Sequence, residues 1–538
     1  MGSPRTSESR PWPVGRFSGS AFGQSSAFPA ACVSRLMRAA MLGLLLAPAW
    51  LWGQEASAPR EEPTGWAAAM ALETVVVDAI ARAERSVVAI ARERPRGNPR
   101  PNDEGPQFFT ERSPEDPEYV PQEFGAGVVI DRSGLIVTNH HVLGDPTKNR
   151  YWVWVNRRPY LAEVKAADPW LDLAVLKIAA DNLEPIRFGD GKAVKKGQFV
   201  VALGNPYAVA RDGQPSATWG IVSNISRKAP PVAGRPAEAG SETLHHYGTL
   251  IQVDCRLQWG ASGGALINLK GELVGLTTAL AALEGYEASA GFAIPVDDVF
   301  RRTLETLKSG RKPEYGFLGV APELLAIPER QRGERGVRVR QIVPGTPAAR
   351  SDLKIGDVIV GVGGTPIVDS ADLIRELSGH PADARIKLAV LRSDANRSNS
   401  KATGKKPGAI RESEVSVELS KKYVGGTRQP YSLIPDRQWR GLKVEYSTAI
   451  PQFEERLGEL DPEGCVAVIE VAPESAAWRA GLRPGGFVSH VDGQRVQRPT
   501  EFFAAIEGKT GSVRLKVTGA KTAGLNESDA VRVVDPES

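Results

Sequence analysis

Closely spaced strand patterns and an abundance of turn residues predict a mainly β chain whose C-terminal part repeats a small α+β module. Three observations carry that prediction. The 538 residues include 55 glycines and 40 prolines, which suits short strands joined by turns better than long helices. The segment VIDRSGLIVTNHHVL, from Val129 to Leu143, alternates apolar and polar residues around Ser133-Gly134, as a hairpin does. Finally, VRVRQIVPGTPAARSDLKIGDVIVGVGGTPI (Val337 to Ile367) parallels VAVIEVAPESAAWRAGLRPGGFVSHVDGQRV (Val466 to Val496): a strand leads through a proline turn, a short helix and a glycine turn to a second strand. The length corresponds to about three or four domains.

In chain order, residues 1–58 read as an export leader. Arg35 and Arg38 precede the apolar run AAMLGLLLAPAWLW, shorter than a bilayer span, and the small residues Ala56, Ser57 and Ala58 follow. The long polar stretch before Arg35 points to a translation start at Met37 or Met41, with cleavage near Gly53 or Ala58; a retained N-terminal anchor is the alternative reading. Without the leader's five arginines and two glutamates the formal charge of +4 falls to +1. So small an excess offers no electrostatic case for nucleic acid or an anionic membrane.

After a linker at 59–71, Leu72 to Ala91 predicts a short helix and then the strand SVVAIA. Residues 92–122 are rich in proline, arginine and acids, with Phe108 and Phe109 adjacent, which describes an inserted surface loop. The hairpin at Val129 to Leu143 follows, and then DPWLDLAVLKI (Asp168 to Ile178), an acid set just before a continuous apolar strand. GASGGALINLKGELVGL (Gly260 to Leu276) places a serine on a glycine-flanked turn before another strand. The helical pattern VDDVFRRTLETLKSG follows, with Gly310 as its stop.

A serine hydroxyl becomes a nucleophile only when a base removes its proton and donors receive the oxyanion. A serine between glycines is by itself most often a turn, but a histidine and an aspartate precede this one in the order expected of a Ser-His-Asp triad. The matching residues are Ser262, His141 and Asp172, with Asp168 competing for the acid's role. Of the cysteines, Cys32 lies in the leader, while Cys255 and Cys465 fall in different domains, so no internal disulfide is expected. Neither metal-ligand spacing nor a phosphate-cradling loop is present, so no cofactor and no metal are expected.

TNHHV, DLAVLKI, LGNPY at Leu203 to Tyr207, GASGG, and GFAIP at Gly291 to Pro295 resemble, in order and rough spacing, the HtrA (Deg) family of trypsin-like serine proteases with C-terminal PDZ domains. The resemblance implies a trypsin-like double β-barrel protease domain at 72–307, two antiparallel six-stranded barrels with the site between them. PDZ-like α+β domains would follow at 313–424, interrupted by a polar insertion at 393–413, and at 436–538, with a second insertion from Thr522 to Asp529. It selects His141 over His140 as base, leaving His140 as a solvent-facing or locally bonded residue on the strand's other face. It also selects Asp172 over Asp168 and gives the backbone N–H groups of Gly260 and Ser262 as the oxyanion hole.

By the same resemblance Phe317, Leu318, Gly319 and Val320 would receive a peptide's terminal carboxylate. Arg440, Gly441, Leu442 and Lys443 correspond to them in the second module. The loop at 92–122 matches one that reaches a neighbouring subunit. An exported endopeptidase of the periplasm or cell envelope, acting on misfolded or damaged envelope proteins and binding chain ends, is implied, assembled as a homotrimer or larger, with no nucleic-acid partner and no stable membrane span after leader removal. A PDZ-bearing chaperone that no longer turns over is the rival reading, since Gln258, Trp259, Ala261 and Ala265 depart from the family's usual residues beside the serine. In the repeats, Asp352 replaces the usual glycine and Gly486 the usual aspartate.

Overall fold

The computed structural model describes residues 65–94, 113–116, 119, 121, 123–205, 214–228, 243–278, 291–393, 410–426, 428–451, 453–518 and 530–537. The leader, Phe108 and Phe109, Pro206 and Tyr207, residues 394–409 of the insertion expected at 393–413, and the insertion expected from Thr522 to Asp529 lie outside them; Ser393 and residues 410–413 belong instead to the flanking strands.

Helix α1 (Gly65–Ala83) begins seven residues before the predicted start and buries Ala79 and Ala83. Six strands then close a barrel: β1 (Val87–Glu93), β2 (Glu123–Val129), β3 (Leu135–Thr138), β4 (Arg150–Val155), β5 (Arg158–Asp168) and β6 (Leu173–Lys177). The strand order runs β1-β2-β3-β6-β5-β4, and β4 pairs back onto β1. The predicted hairpin is β2 and β3, registered at Val128 opposite Val137, and Gly134 turns it at φ +101°. Alternation fills the barrel with Val88, Ile90, Ile136, Val153 and Leu176.

A second closed barrel comprises β7 (Phe199–Gly204), β8 (Ser216–Arg227), β9 (Leu250–Val253), β10 (Ala265–Ile267), β11 (Glu272–Thr278) and β12 (Gly291–Pro295). Its interior holds Val200, Val222, Ile251, Leu266 and Val274. Between the barrels Trp170, Leu173, Leu203, Leu250, Ile294 and Phe300 form one apolar cluster. Each such side chain contributes about 1.5–3 kcal/mol when fully buried, so the two barrels are bonded as one body. Helix α2 (Asp298–Lys308) buries Phe300, Leu304 and Leu307 against them, capped at its start by Asp297 and followed by Gly310 at φ +77°.

The two repeats fold alike. The first orders strands 320–324, 337–342, 358–362, 385–393 and 410–418 side by side; the second does the same with 442–446, 466–471, 487–491, 513–518 and 530–534. Each lays one main helix on its sheet, Ser370–Ser378 and Pro499–Ile506. The modules also touch each other, through Phe317 edge-on to Phe453 and the Ser420 and Thr448 hydroxyls 2.7 Å apart. Among the described residues no helix is long and apolar enough to cross a membrane.

Candidate active site

Asn139 and the four-residue helix His140–Leu143 continue β3 where a longer strand was expected. This helical turn aims at a second turn, Asp168 to Asp172, which lies between β5 and β6. Asp172 has φ +55° and is fully buried. In that conformation both its main chain and its carboxylate face the histidine segment. The Asp172 carbonyl accepts from the His140 N–H and from Asn139 Nδ2, each at 3.1 Å. Its Oδ1 accepts from the His141 N–H at 2.9 Å, and Oδ2 lies 2.7 Å from His141 Nδ1. Burial alone would raise the Asp172 carboxyl's pKa, but the charge and hydrogen bond of His141 outweigh it and hold that carboxyl well below the usual carboxylate range.

An imidazole held at Nδ1 by an ionised acid is fixed in orientation and can take a proton at Nε2. His141 Nε2 is buried and hydrogen-bonds to no other group among the described residues.

Ser262 sits on the loop entering β10, which docks against the first barrel. The Ser262 carbonyl accepts from the Ala126 N–H at 2.8 Å, and the Ala126 carbonyl accepts from the hydroxyl of Thr138, the last residue of β3. The loop itself is two linked turns: Ala261 N–H donates to Gln258 at 3.0 Å, and Gly264 N–H to Ala261 at 3.1 Å. Gly260 occupies the third position of the first turn at φ +92°, where a glycine is favoured. Its N–H is not the one that closes the turn. A Cβ there would stand 2.1 Å from the Asn205 carbonyl, so the approach of β7 also demands glycine. Trp259, on the outer corner, is 59% exposed.

Asp168, the competing acid, does other work. It accepts from the N–H groups of Trp170 and Leu171 and from the Tyr315 hydroxyl, so it stiffens the turn that presents Asp172 and does not reach His141. Burial raises its pKa to about 6. His140 is only 2% exposed and donates from Nε2 to the Gln429 carbonyl at 3.2 Å. The solvent-facing reading of it is therefore corrected: in a helical turn consecutive side chains do not alternate between faces, and His140 turns inward.

Sequence reasoning passed over Asn139, His245 and Tyr315. His245 is buried, donates to the Leu171 carbonyl at 3.1 Å and pairs with Thr249, and burial lowers its pKa to about 4. The asparagine had a signal, because it stands at the helix cap position; its side chain goes to Asp172 instead. The other two had none, since their partners lie far away in sequence.

In the first repeat the Leu318 carbonyl accepts from Ala348 and the Gly319 carbonyl from Val343; in the second, the Arg440 carbonyl accepts from Ala477 and that of Gly441 from Ala472. The two loops correspond with Leu318 opposite Arg440 and Gly319 opposite Gly441, which corrects the expected alignment by one residue: the counterpart of 317–320 is 439–442. Phe317 is half-buried against Phe453, Leu318 is buried, Gly319 takes φ +87° and Val320 opens the edge strand. Arg440 differs from its counterpart Leu318: its guanidinium donates to the carbonyls of Val534, Lys509 and Gly511. Likewise Asp357, which binds Arg392 through both carboxylate oxygens, is answered by Gly486.

Cys255 and Cys465 are buried free thiols, each pushed up to about 11 by burial. Among the described residues no group of three or more His, Cys, Asp and Glu side chains is placed to hold a metal ion.

Comparison with known proteins adds an independent line. Residues 125–276 match the family described as Trypsin-like peptidase domain, and residues 316–401 and 468–518 each match a PDZ domain family. A "Probable periplasmic serine endoprotease DegP-like" of Ectopseudomonas mendocina is 32% identical over 492 residues, covering 88% of this chain and 95% of that protein. The protein of the same description from Pseudomonas putida F1 is 30% identical over 425 residues, 76% of this chain and 81% of the relative. "Periplasmic serine endoprotease DegP" of Escherichia coli K12 is 34% identical over 273 residues, 50% of this chain and 54% of that one. Among solved structures, "HtrA-type protease AlgW with decapeptide" aligns at 24% identity and a TM-score of 0.46, over 64% of this chain and 98% of that one.

Proposed function

Because the chain belongs to the DegP-like (HtrA) family of serine endoproteases, we propose that it hydrolyses peptide bonds through an acyl-enzyme on Ser262, with His141 as base and Asp172 as its orienting acid. His141 takes the Ser262 proton at Nε2 as the hydroxyl attacks the scissile carbonyl, then returns it to the leaving amine. Asp172 stays ionised and stabilises the imidazolium. Water repeats the sequence on the acyl-enzyme. The N–H groups of Gly260 and Ser262 receive the oxyanion.

One observation carries this reading: the Asp172 carboxylate grips His141 at Nδ1 and at the backbone, 2.7 and 2.9 Å away. A fluorophosphonate that labels the parent but not Ser262→Ala, together with loss of casein hydrolysis in that variant, is the expected result; equal labelling of both overturns it.

The family context extends the proposal. The protease portion spans 72–307 and the PDZ modules 313–424 and 436–538, following an export leader at 1–58. The setting is the periplasm, the substrates are misfolded or damaged envelope proteins, and the working form is a homotrimer or larger. Phe317, Leu318, Gly319 and Val320 take up substrate chain ends, the equivalence of the two repeat loops supporting that placement.

A further inference from the structure

The chain between the two PDZ modules crosses back to the first barrel. Strand β5 outruns its neighbour β4, whose pairing ends at Ala162, so Ala166 and Ala167 present one unpaired edge. Tyr431 and Ser432 add to it as an antiparallel strand, opposite Ala167 and Ala166. The Leu433 N–H donates to the Lys165 carbonyl at 2.9 Å, and the Tyr431 ring packs on the barrel's core. Two residues before Tyr431, the Gln429 carbonyl accepts from His140. A carbonyl can only accept, which fixes His140 as the Nε2–H tautomer. This short crossing thus touches both halves of the site's frame: the strand that leads into the Asp168 to Asp172 turn, and the residue before His141.

Resting on the reading of His141, Asp172 and Ser262 given above, we infer that the inter-PDZ segment Arg428–Ile434 is a positioning element for hydrolysis. Strand addition gives such a segment backbone hydrogen bonds of its own, and Lys312 paired with Asp436 at 2.9 Å anchors its far end. His140 and Gln429 are positioning residues: neither touches substrate, and both act through the His141 and Asp172 pair.

The test uses the full-length protein and separates kcat from KM on a chromogenic peptide. His140→Leu removes the donor to Gln429; Leu433→Pro, at a position 38% exposed, removes the donor to Lys165. Each is expected to lower kcat by about 10- to 100-fold with KM within about twofold, as displacement of catalytic groups does. His140→Gln, whose amide can still donate to the carbonyl, is expected to keep kcat within about threefold of the parent.

Parent kcat in both disrupting variants overturns the inference. So does a loss that His140→Gln shares in full, or one that vanishes when kcat is expressed per active site titrated with fluorophosphonate, because a smaller folded fraction lowers apparent kcat at unchanged KM and is loss of fold alone. Should the buried His140→Leu fail to fold, Leu433→Pro decides. Ser262→Ala at parental activity would instead overturn the catalytic reading, so the two failures are distinguishable.

Discussion

The Tyr315 hydroxyl donates to the Asp168 carboxylate, which ties the chain entering the first PDZ module to the turn that presents Asp172. Tyr315 is itself fully buried. Removing a donor from a buried carboxylate costs about 1–3 kcal/mol, so Tyr315→Phe is expected to lower unfolding free energy in urea by that amount at pH 7.

Asp168 also sets a pH dependence of stability. Burial raises its folded pKa to about 6, above the unfolded value of about 4. The folded state therefore binds this proton more tightly, and the stability it brings is complete below pH ~4 and lost as pH rises through ~6. Asp172, depressed in the fold, acts in the opposite sense: its contribution is present above pH ~4 and lost as pH falls below it. Asp168→Asn removes the first effect, so its stability relative to the parent should rise by on the order of 2 kcal/mol between pH 4 and pH 7.5. Urea titrations at several pH values measure this, and a pH-independent difference would refute it.

Asn139 predicts a graded loss. It donates to the Asp172 carbonyl, not to the carboxylate, so Asn139→Ala loosens the pair without removing it and should reduce kcat about 10-fold. Asp172→Asn, which deprives His141 of its ionised partner, should reduce kcat about 10⁴-fold. Both effects are read from steady-state kinetics on one peptide substrate.

The active loop has no room at Gly260. With φ +92° and the Asn205 carbonyl 2.1 Å from any added Cβ, Gly260→Ala should abolish most activity and cost on the order of 2 kcal/mol of stability. Calorimetry and fluorophosphonate labelling check the two halves.

Trp259 stands exposed on the corner of that loop, and no catalytic contact depends on it. Trp259→Ala should therefore retain turnover while changing the relative kcat/KM for Ala-, Val- and Leu-ending substrates by about 10-fold. Unchanged ratios would refute a role in preference.

The legibility of this site followed sequence distance. Ser262, His141 and Asp172 each lie inside a local motif, and the glycine turns and strand alternation around them are properties of neighbouring residues. The repeat likewise announced two modules of one fold. His140 was misread because the strand stops at Thr138 and in the helical turn that follows successive side chains lie about 100° apart, not on opposite faces. Tyr315, His245 and Gln429 had no local signature: their partners sit 147, 74 and 289 residues away. Contacts of that kind arise from how barrels and modules dock, and no short window of sequence contains them.

The hydroxyls of Ser420 and Thr448 meet at 2.7 Å, so the polypeptide departs from one point, visits the barrel and comes home. A loop whose ends already touch can be cut without its fragments drifting apart. Limited trypsin digestion at Arg428 would then give a species that elutes from a sizing column as uncut protein does, yet splits into two bands when boiled in detergent.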